Sequence, residues 1–386
     1  MVGSPVVLEI RSLVAAEVSQ ITGRNQRSPV EIRRVDQFEL DQTVSVGSDI
    51  VLKDEWSLYC LDAENEMAVF VETPPEADLL AAPFLYAEQF ATAERVAKVP
   101  FEDLPKLAGQ IPPPRNLTIL MSTGRCGSTL ASRILSHVPG VLSISEPDWP
   151  TNLAFARFDT DETMRDDLIR ACMRLTCKLP AASEATTVVI KPRSEMMSQA
   201  AAYVEALKYS QGVFLYRDCQ GYVNSIYRFA QRVLNKLDHE RGSEEWELIR
   251  NFTTIGAPES VLDDYFLKDD EIGVVDLMTL GWVLRMRAYT NASNSGMNVT
   301  PIHYSDLNAD RETSTQRLLE ACGVSNEYVQ LAMKGYQGDS QAGLRDMDVT
   351  KGEPLTRRHY GRISELLDRW GCDDYRVSRL SALGAA

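Results

Sequence analysis

The chain has 386 residues, of which 44% are hydrophobic, and a formal net charge of −15 at pH 7. This length can fill a sizeable core and is sufficient for two domains. The negative charge argues against a nucleic-acid partner or an anionic membrane surface, because both require broad basic surfaces. No apolar run reaches the roughly 18 residues of a membrane span, and Glu9 and Arg11 interrupt the N-terminus too early for a signal peptide. We therefore expect a cytoplasmic protein in which any anion site is a local basic pocket.

Cysteine and histidine give no sign of a metal or redox site. The seven cysteines are an odd number, widely scattered, and none belongs to a C-x-x-C pair. The four histidines also lack metal-ligand spacing; they are His137, His239, His303 and His359. We expect reduced thiols, mostly in the core, and no metal.

The first third of the chain predicts a small α+β unit. Residues 56–61 and 67–72 read as strands joined by an acidic turn. Apolar residues at helical spacing between Phe84 and Val96 then predict a helix. We interpret residues 1–112 as an accessory unit, whose role as pocket wall, dimer interface or simple support is open.

A run of prolines marks the beginning of a second unit. Pro112, Pro113 and Pro114 impose an extended stretch, and we place a domain over residues 113–386. Strands and helices alternate after it: strands 117–121, 187–191 and 212–216, and helices 128–137, 161–177, 195–208 and 219–236. This alternation predicts an α/β fold of three layers, with a central parallel sheet and ligands at the carboxyl ends of its strands.

The segment TGRCGST, residues 123–129 and here called the phosphate loop, joins the first of these strands to its helix. A small, glycine-bearing turn of this kind aims backbone N–H groups and a helix N-terminus at an anion. The nucleotide-triphosphatase lysine is absent, because Gly127 precedes Ser128. Arg125 is the residue in the loop that can supply the positive charge.

Two later strands end in further cations. Lys191 and Arg193 follow one strand, and Arg217 follows the next. Ser225 comes eight residues after Arg217, which is about two helical turns, so both side chains can reach one anionic group above the helix start. These positions predict a second phosphate site beside the loop.

Residues 115–310 resemble the sulfotransferases that use 3′-phosphoadenosine 5′-phosphosulfate (PAPS), on the strength of the loop and of the Arg217–Ser225 spacing. The resemblance implies a P-loop sulfotransferase domain in which Arg217 and Ser225 bind the 3′-phosphate. It assigns the 5′-phosphosulfate to five loop residues, namely Arg125, Cys126, Gly127, Ser128 and Thr129.

Two more segments extend this resemblance. VTPIHYSDLNAD, residues 299–310, is similar to the family's segment near the adenine, with Tyr304 as the aromatic and Asp306 as an acid. TKGEP, residues 350–354, resembles a late loop that closes over the 3′-phosphate and implies a role there for Lys351 and Gly352.

The resemblance also implies the catalytic groups. Arg125, Lys191 and the loop amides would face the bridging oxygen as it gains charge. Cytosolic members have a histidine base where this chain has Arg193, which cannot act as a base at ordinary pH. The tyrosylprotein and some carbohydrate-type enzymes use a glutamate instead, and Glu146 lies in that place with Asp148 as a reserve. A mere turn-capping role for Glu146 is the alternative.

The sequence thus predicts a sulfotransferase that uses PAPS as co-substrate, with a small-molecule acceptor, no nucleic acid, no membrane and no metal. A strongly acidic surface disfavours sulfated glycans and acidic peptides as acceptors. The acceptor itself, and whether the chain forms a homodimer, are not readable from the sequence. An ATP-dependent small-molecule kinase and a non-catalytic nucleotide-binding protein stay as alternatives.

Overall fold

The structure is a computed structural model. It describes residues 15–26, 31–155, 162–178, 185–207, 210–234, 241–258, 260–268, 270–296, 298–337 and 352–372. Across these ranges, no helix is both long and apolar enough to cross a membrane. All seven cysteines lie in these ranges as buried thiols, in agreement with the predicted core thiols.

The N-terminal part forms an antiparallel sheet with two short helices. In chain order its elements are β1 Ala15–Arg24, β2 Phe38–Gly47, β3 Trp56–Asp62, β4 Met67–Glu72, α1 Leu85–Thr92, β5 Arg95–Pro100 and α2 Leu104–Ala108. Within the described ranges the sheet has five strands in the order β2-β1-β5-β4-β3. The predicted strands at 56–61 and 67–72 are confirmed as β3 and β4.

The second sheet is parallel, as the alternation of elements predicts. Its strands are β6 Asn116–Ser122, β7 Val141–Ser145, β8 Thr187–Lys191, β9 Gln211–Tyr216 and β10 Val299–His303. Over the described part of the chain, these strands lie in the order β10-β9-β6-β8-β7. The chain leaves the central strand β6 toward one edge and later returns to its other side at β9. This reversal opens a crevice at the carboxyl end of β6, where ligands bind in α/β sheets.

Helices cover this sheet. They are α3 Ser128–Ser136, α4 Trp149–Phe155, α5 Glu162–Thr176, α6 Ala200–Ala206, α7 Cys219–Val233, α8 Glu244–Thr253, α9 Val261–Tyr265, α10 Val274–Asn294, α11 Tyr304–Ala309, α12 Arg311–Ala321, α13 Val329–Ala332 and α14 Arg357–Arg369. The amphipathic α7 begins with a capped turn, in which the Asp218 side chain accepts a hydrogen bond from the amide of Gly221.

Two element predictions need correction. The helix predicted between Phe84 and Val96 ends at Thr92, and Val96 lies in β5, where it pairs with β4 and is fully buried. Pairing with two neighbouring strands overrides the helical spacing here. The helix predicted over 195–208 begins as 3₁₀ turns at Ser194–Gln199, and only Ala200–Ala206 is α-helical.

The two sheets share one hydrophobic core, in which Val18 and Phe70 of the first cluster with Ile119 and Ile190 of the second. Asn152 of α4 also joins them through polar contacts. Its side chain donates to the carbonyl oxygen of Arg33 at 2.9 Å and accepts from the amide of Leu61 at 3.0 Å. The N-terminal sheet therefore packs against the segment that follows β7. The domain boundary at 112/113 stays a prediction.

Candidate active site

The phosphate loop has the backbone of an anion-binding turn. Gly124, Arg125 and Gly127 have positive φ angles of 85°, 53° and 82°, and Gly127 directly precedes α3. Such left-handed residues turn successive N–H groups toward one concave side of the chain. A Cβ atom on Gly127 would lie 3.1 Å from Cδ2 of Tyr304, so a lysine at this position would be both strained and crowded.

Arg125, Arg217, Ser225 and Tyr304 form a cluster beside the loop, called here the basic corner. Nε of Arg125 donates to Oγ of Ser225 at 3.2 Å, and Nη1 of Arg217 donates to the carbonyl oxygen of Arg125 at 3.1 Å. Cζ of Arg217 lies 4.6 Å from the ring centroid of Tyr304. Ser225 therefore contacts Arg125 directly, and the predicted Arg217–Ser225 site includes Arg125 as well.

The basic corner brings two guanidinium groups, those of Arg125 and Arg217, close together. Burial, and secondly the nearby Arg217 guanidinium, lower the pKa of Arg125. Ion pairs near the corner involve Lys191 and Arg193 instead. Neither Arg125 nor Arg217 forms an ion pair with a carboxylate in the described ranges. A bound anion would relieve the repulsion between the two guanidinium groups.

Glu146 and Lys191 meet at the carboxyl ends of β7 and β8. The Lys191 ammonium donates to Oε1 of Glu146, and the two side chains are 2% and 15% exposed. The same ammonium lies 3.3 Å from Oγ1 of Thr129 and 3.4 Å from Oγ of Ser145. Lys191 therefore connects the phosphate loop to Glu146, the carboxylate that the resemblance implies as the base.

Asp148 has a different environment from Glu146. It is fully buried, forms an ion pair with Arg193 at 2.9 Å and accepts a hydrogen bond from the amide of Arg33. Burial raises the pKa of its carboxyl group, while Arg193 acts in the opposite direction. Asp148 joins two parts of the fold and is not part of the cavity wall described next.

A cavity of about 510 Å³ contains the phosphate loop, the basic corner and Glu146. Its wall also contains apolar side chains from both halves of the chain, which include Phe84, Tyr86, Ile249, Phe252 and Met278. Phe229 packs against the basic corner, with its ring centroid 5.1 Å from Cζ of Arg125. The cavity therefore combines a basic corner that suits an anion with apolar side chains that suit an uncharged body.

Most of the predicted site residues line this cavity. They are Arg125, Cys126, Gly127, Ser128, Thr129, Glu146, Arg217, Ser225 and Tyr304. The thiol of Cys126 is buried and donates to the carbonyl oxygen of Leu215 at 3.1 Å, so this residue can offer only its backbone. Lys191 is buried and is not among the residues that line the cavity, although it contacts two of them, Thr129 and Glu146.

Of the late loop, the structure describes Gly352 and the residues after it, and Gly352 does not line the cavity. Lys351 lies outside the described residues. The carbonyl oxygen of Gly352 accepts a hydrogen bond from Nε of Arg228 at 2.9 Å, on the side of α7. The proposed roles of both residues over a 3′-phosphate stay predictions.

Several wall residues were not predicted from the sequence. Phe84 and Tyr86 belong to the N-terminal unit, and Glu195 and Arg285, which also line the cavity, form an ion pair at 3.6 Å. The sequence offers no spacing signal for these contacts, because each depends on how distant elements pack together. For Arg285, its place between Leu284 and Met286 indicates only a core helix.

A scan against models of protein families and a search of curated proteins found no match. A search of solved structures found sulfotransferases. Mouse sulfotransferase SULT7A1 complexed with PAP is 12% identical and covers 71% of this chain and 92% of its own, with a TM-score of 0.37. Sulfotransferase STF9 from Mycobacterium avium is 10% identical and covers 71% and 79%, with a TM-score of 0.41.

Retinol dehydratase in complex with androsterone and inactive cofactor PAP was also found. It is 14% identical and covers 86% of this chain and 99% of its own, with a TM-score of 0.36. These values describe only a distant similarity in the path of the backbone. The fold and the site together define an α/β protein with a glycine-bearing loop before α3 and a carboxylate–lysine pair at the carboxyl ends of β7 and β8.

Proposed function

We propose that this protein is a sulfotransferase that transfers a sulfuryl group from PAPS to a hydroxyl or amine of a small-molecule acceptor. One observation supports this above all. The ammonium of Lys191 contacts both Thr129 of the phosphate loop and Glu146, so a leaving-group cation and a candidate base adjoin the same anion-binding loop. The resemblance seen in the sequence motifs agrees with this arrangement.

The shape of the site suits a donor that carries two separate phosphate groups. The amides of Gly127, Ser128 and Thr129 at the start of α3 are available for the 5′-phosphosulfate. The basic corner, with Arg125, Arg217 and Ser225, suits a 3′-phosphate. The ring of Tyr304 packs beside Arg217 and offers a surface for the adenine.

In the proposed step, the acceptor oxygen or nitrogen attacks sulfur and forms a new bond as the bond from sulfur to the bridging oxygen breaks. The electron pair of the broken bond stays on the bridging oxygen, so 3′-phosphoadenosine 5′-phosphate (PAP) leaves with the additional negative charge. Lys191 and Arg125 stabilise that charge. The proton of the acceptor passes to the carboxylate of Glu146.

The two alternatives differ from this proposal in the nucleotide and in turnover. A kinase would need ATP, which lacks the 3′-phosphate for which the basic corner is suited. A non-catalytic protein would bind the nucleotide without turnover. The Glu146–Lys191 pair at the loop favours catalysis, because a passive binding site has no need of a base beside the transferred group.

Calorimetric titration of PAP into the wild type and into Arg217→Ala tests the donor site. Adenosine 5′-phosphate and ATP serve as comparators, and Arg317→Ala, an exposed arginine on α12, is the matched charge-loss control. We expect PAP to bind tightly to the wild type and to the control, and roughly a hundredfold more weakly to Arg217→Ala, as for a lost charged hydrogen bond. Preference for ATP, or no binding of PAP, would contradict the proposal.

A further inference from the structure

We propose that the N-terminal unit supplies the acceptor-facing wall of the active site through Phe84 and Tyr86, and that this wall selects acceptors whose hydroxyl or amine is attached to an apolar ring. The inference rests on the proposed sulfuryl transfer and names the substrate class for it. It also gives the N-terminal unit a direct part in the reaction.

The segment that carries both rings is fastened beside the candidate base. Oγ of Ser145, the residue before Glu146, donates to the carbonyl oxygen of Pro83 at 2.6 Å. Phe84 follows at once and Tyr86 lies in the first turn of α1. This hydrogen bond therefore ties the segment with the two rings to the end of the strand that precedes Glu146.

Two cations at the end of β8 lie close to the faces of the two rings. Nζ of Lys191 lies 5.7 Å from the ring centroid of Phe84, and Cζ of Arg193 lies 3.8 Å from that of Tyr86. Cations placed over aromatic faces attract them, and more strongly where water is excluded. Phe84 is 9% exposed and Tyr86 is 2% exposed, and both line the cavity. The two rings are therefore almost fully packed into the protein and still border the space where an acceptor would lie.

Further apolar side chains of the same cavity come from the helices. Ile249 and Phe252 of α8 and Met278 of α10 line it. A flat apolar ring between these side chains and the Phe84–Tyr86 wall would be removed from water on both faces. Its hydroxyl or amine would then be directed at Glu146, which lies where the apolar wall meets the phosphate loop.

The charges at this end of the cavity already have partners in the protein. Arg193 is paired with Asp148 at 2.9 Å, and Arg285 is paired with Glu195 at 3.6 Å. A charged acceptor body would lose its hydration there and gain no new counter-ion. The wall therefore favours a neutral acceptor over a sulfated glycan or an acidic peptide.

Binding of 2-naphthol to the PAP-saturated enzyme, measured from the quenching of naphthol fluorescence, tests the proposal. Methyl glucoside, which carries its hydroxyls on a polar ring, is the comparator. Phe84→Leu and Tyr86→Leu remove the proposed wall rings. Phe90→Leu is the matched control, because Phe90 is a buried aromatic of the same helix that packs under Arg33 and does not line the cavity.

We expect 2-naphthol to bind the wild type and methyl glucoside not to bind measurably. Loss of one ring should weaken naphthol binding by roughly tenfold, because buried apolar area and aromatic stacking are lost. The Phe90→Leu control should keep wild-type affinity, and all variants should keep their affinity for PAP. Phe84→Met, which conserves most of the volume, replaces Phe84→Leu if thermal unfolding shows that the latter is not folded.

The outcomes separate this inference from the proposed function. If PAP does not bind the wild type, the proposed donor and with it the sulfotransferase proposal fail. If PAP binds but 2-naphthol does not, or if Phe84→Leu and Tyr86→Leu bind it as the wild type does, the wall is not the acceptor site. Equal loss in the Phe90→Leu control would also overturn the inference.

Discussion

Glu146 and Lys191 are joined twice, once through the backbone and once through their side chains. The amide of Glu146 donates to the carbonyl oxygen of Lys191 at 2.6 Å, and the Lys191 ammonium donates to the carboxylate of Glu146. Glu146 also has a φ angle of 54°, a left-handed conformation that is uncommon for a residue with a side chain. Strained residues of this kind persist where the surrounding structure fixes them, often at functional sites.

Replacement of the candidate base should abolish most of the turnover and leave donor binding intact. We expect Glu146→Gln to lower kcat by about 10²- to 10⁴-fold, the range for loss of a general base. The affinity for PAP, measured by calorimetry, should change by less than about twofold, because the amide keeps the shape of the side chain.

Glu66→Gln is a matched control for this prediction. Glu66 is exposed in the turn between β3 and β4 and has a φ angle of 53°, nearly that of Glu146. It should show wild-type turnover, since it shares the backbone conformation but not the site. Full turnover by Glu146→Gln would exclude Glu146 as the base.

Replacement of Lys191 should impair both catalysis and folding. We expect Lys191→Met to lower kcat/KM by about 10²- to 10³-fold, as for removal of one preorganised donor to developing negative charge. It should also lower the free energy of unfolding by a few kcal/mol, because the mostly buried carboxylate of Glu146 loses its partner.

Urea unfolding of the double variant Lys191→Met/Glu146→Gln completes a mutant cycle. Because the two side chains are in direct contact, the double variant should be less destabilised than the sum of the single variants, by about 0.5 to 3 kcal/mol. Simple additivity would show that the two groups do not interact in solution.

The glycine that precedes α3 should be important for nucleotide binding. Gly127→Ala introduces a Cβ at a φ angle of 82° and 3.1 Å from the ring of Tyr304. We expect the free energy of unfolding to fall by about 1 to 3 kcal/mol. PAP binding, measured by calorimetry, should weaken at least tenfold, because the loop amides and Tyr304 move together.

Gly361→Ala is the control for this substitution. Gly361 lies within α14, and a Cβ added there would meet no heavy atom within 4 Å. It should raise the free energy of unfolding by about 0.5 to 1 kcal/mol, since alanine favours helix more than glycine does. Equal PAP affinity in Gly127→Ala and Gly361→Ala would rule out a tight phosphate loop.

The sequence predicts those parts of the site that depend on residues close together along the chain. The loop, the cations after β8 and β9, and the parallel sheet follow from strand ends and turns, which neighbouring residues determine. Phe84 and Tyr86 lie more than 30 residues before the loop and reach the cavity only because the N-terminal sheet packs against the segment after β7. Contacts of this kind depend on tertiary packing, and no short-range pattern encodes them.

The reserve carboxylate should prove structural. Asp148 is fully buried between Arg193 and the amide of Arg33, so Asp148→Asn leaves a buried guanidinium without its counter-ion. We expect the free energy of unfolding in urea to fall by about 3 to 5 kcal/mol. The kcat of the enzyme that stays folded should be within about twofold of wild type, because Asp148 does not line the cavity.

Asp36→Asn removes an ion pair of the opposite kind and serves as the control. Its partner is Arg34, and the two side chains are 57% and 67% exposed, so water screens their attraction. Asp36→Asn should change the free energy of unfolding by no more than about 1 kcal/mol. If Asp148→Asn instead stays as stable as this control and loses turnover, a purely structural role for Asp148 would be excluded, and Asp148 would become a candidate base beside Glu146.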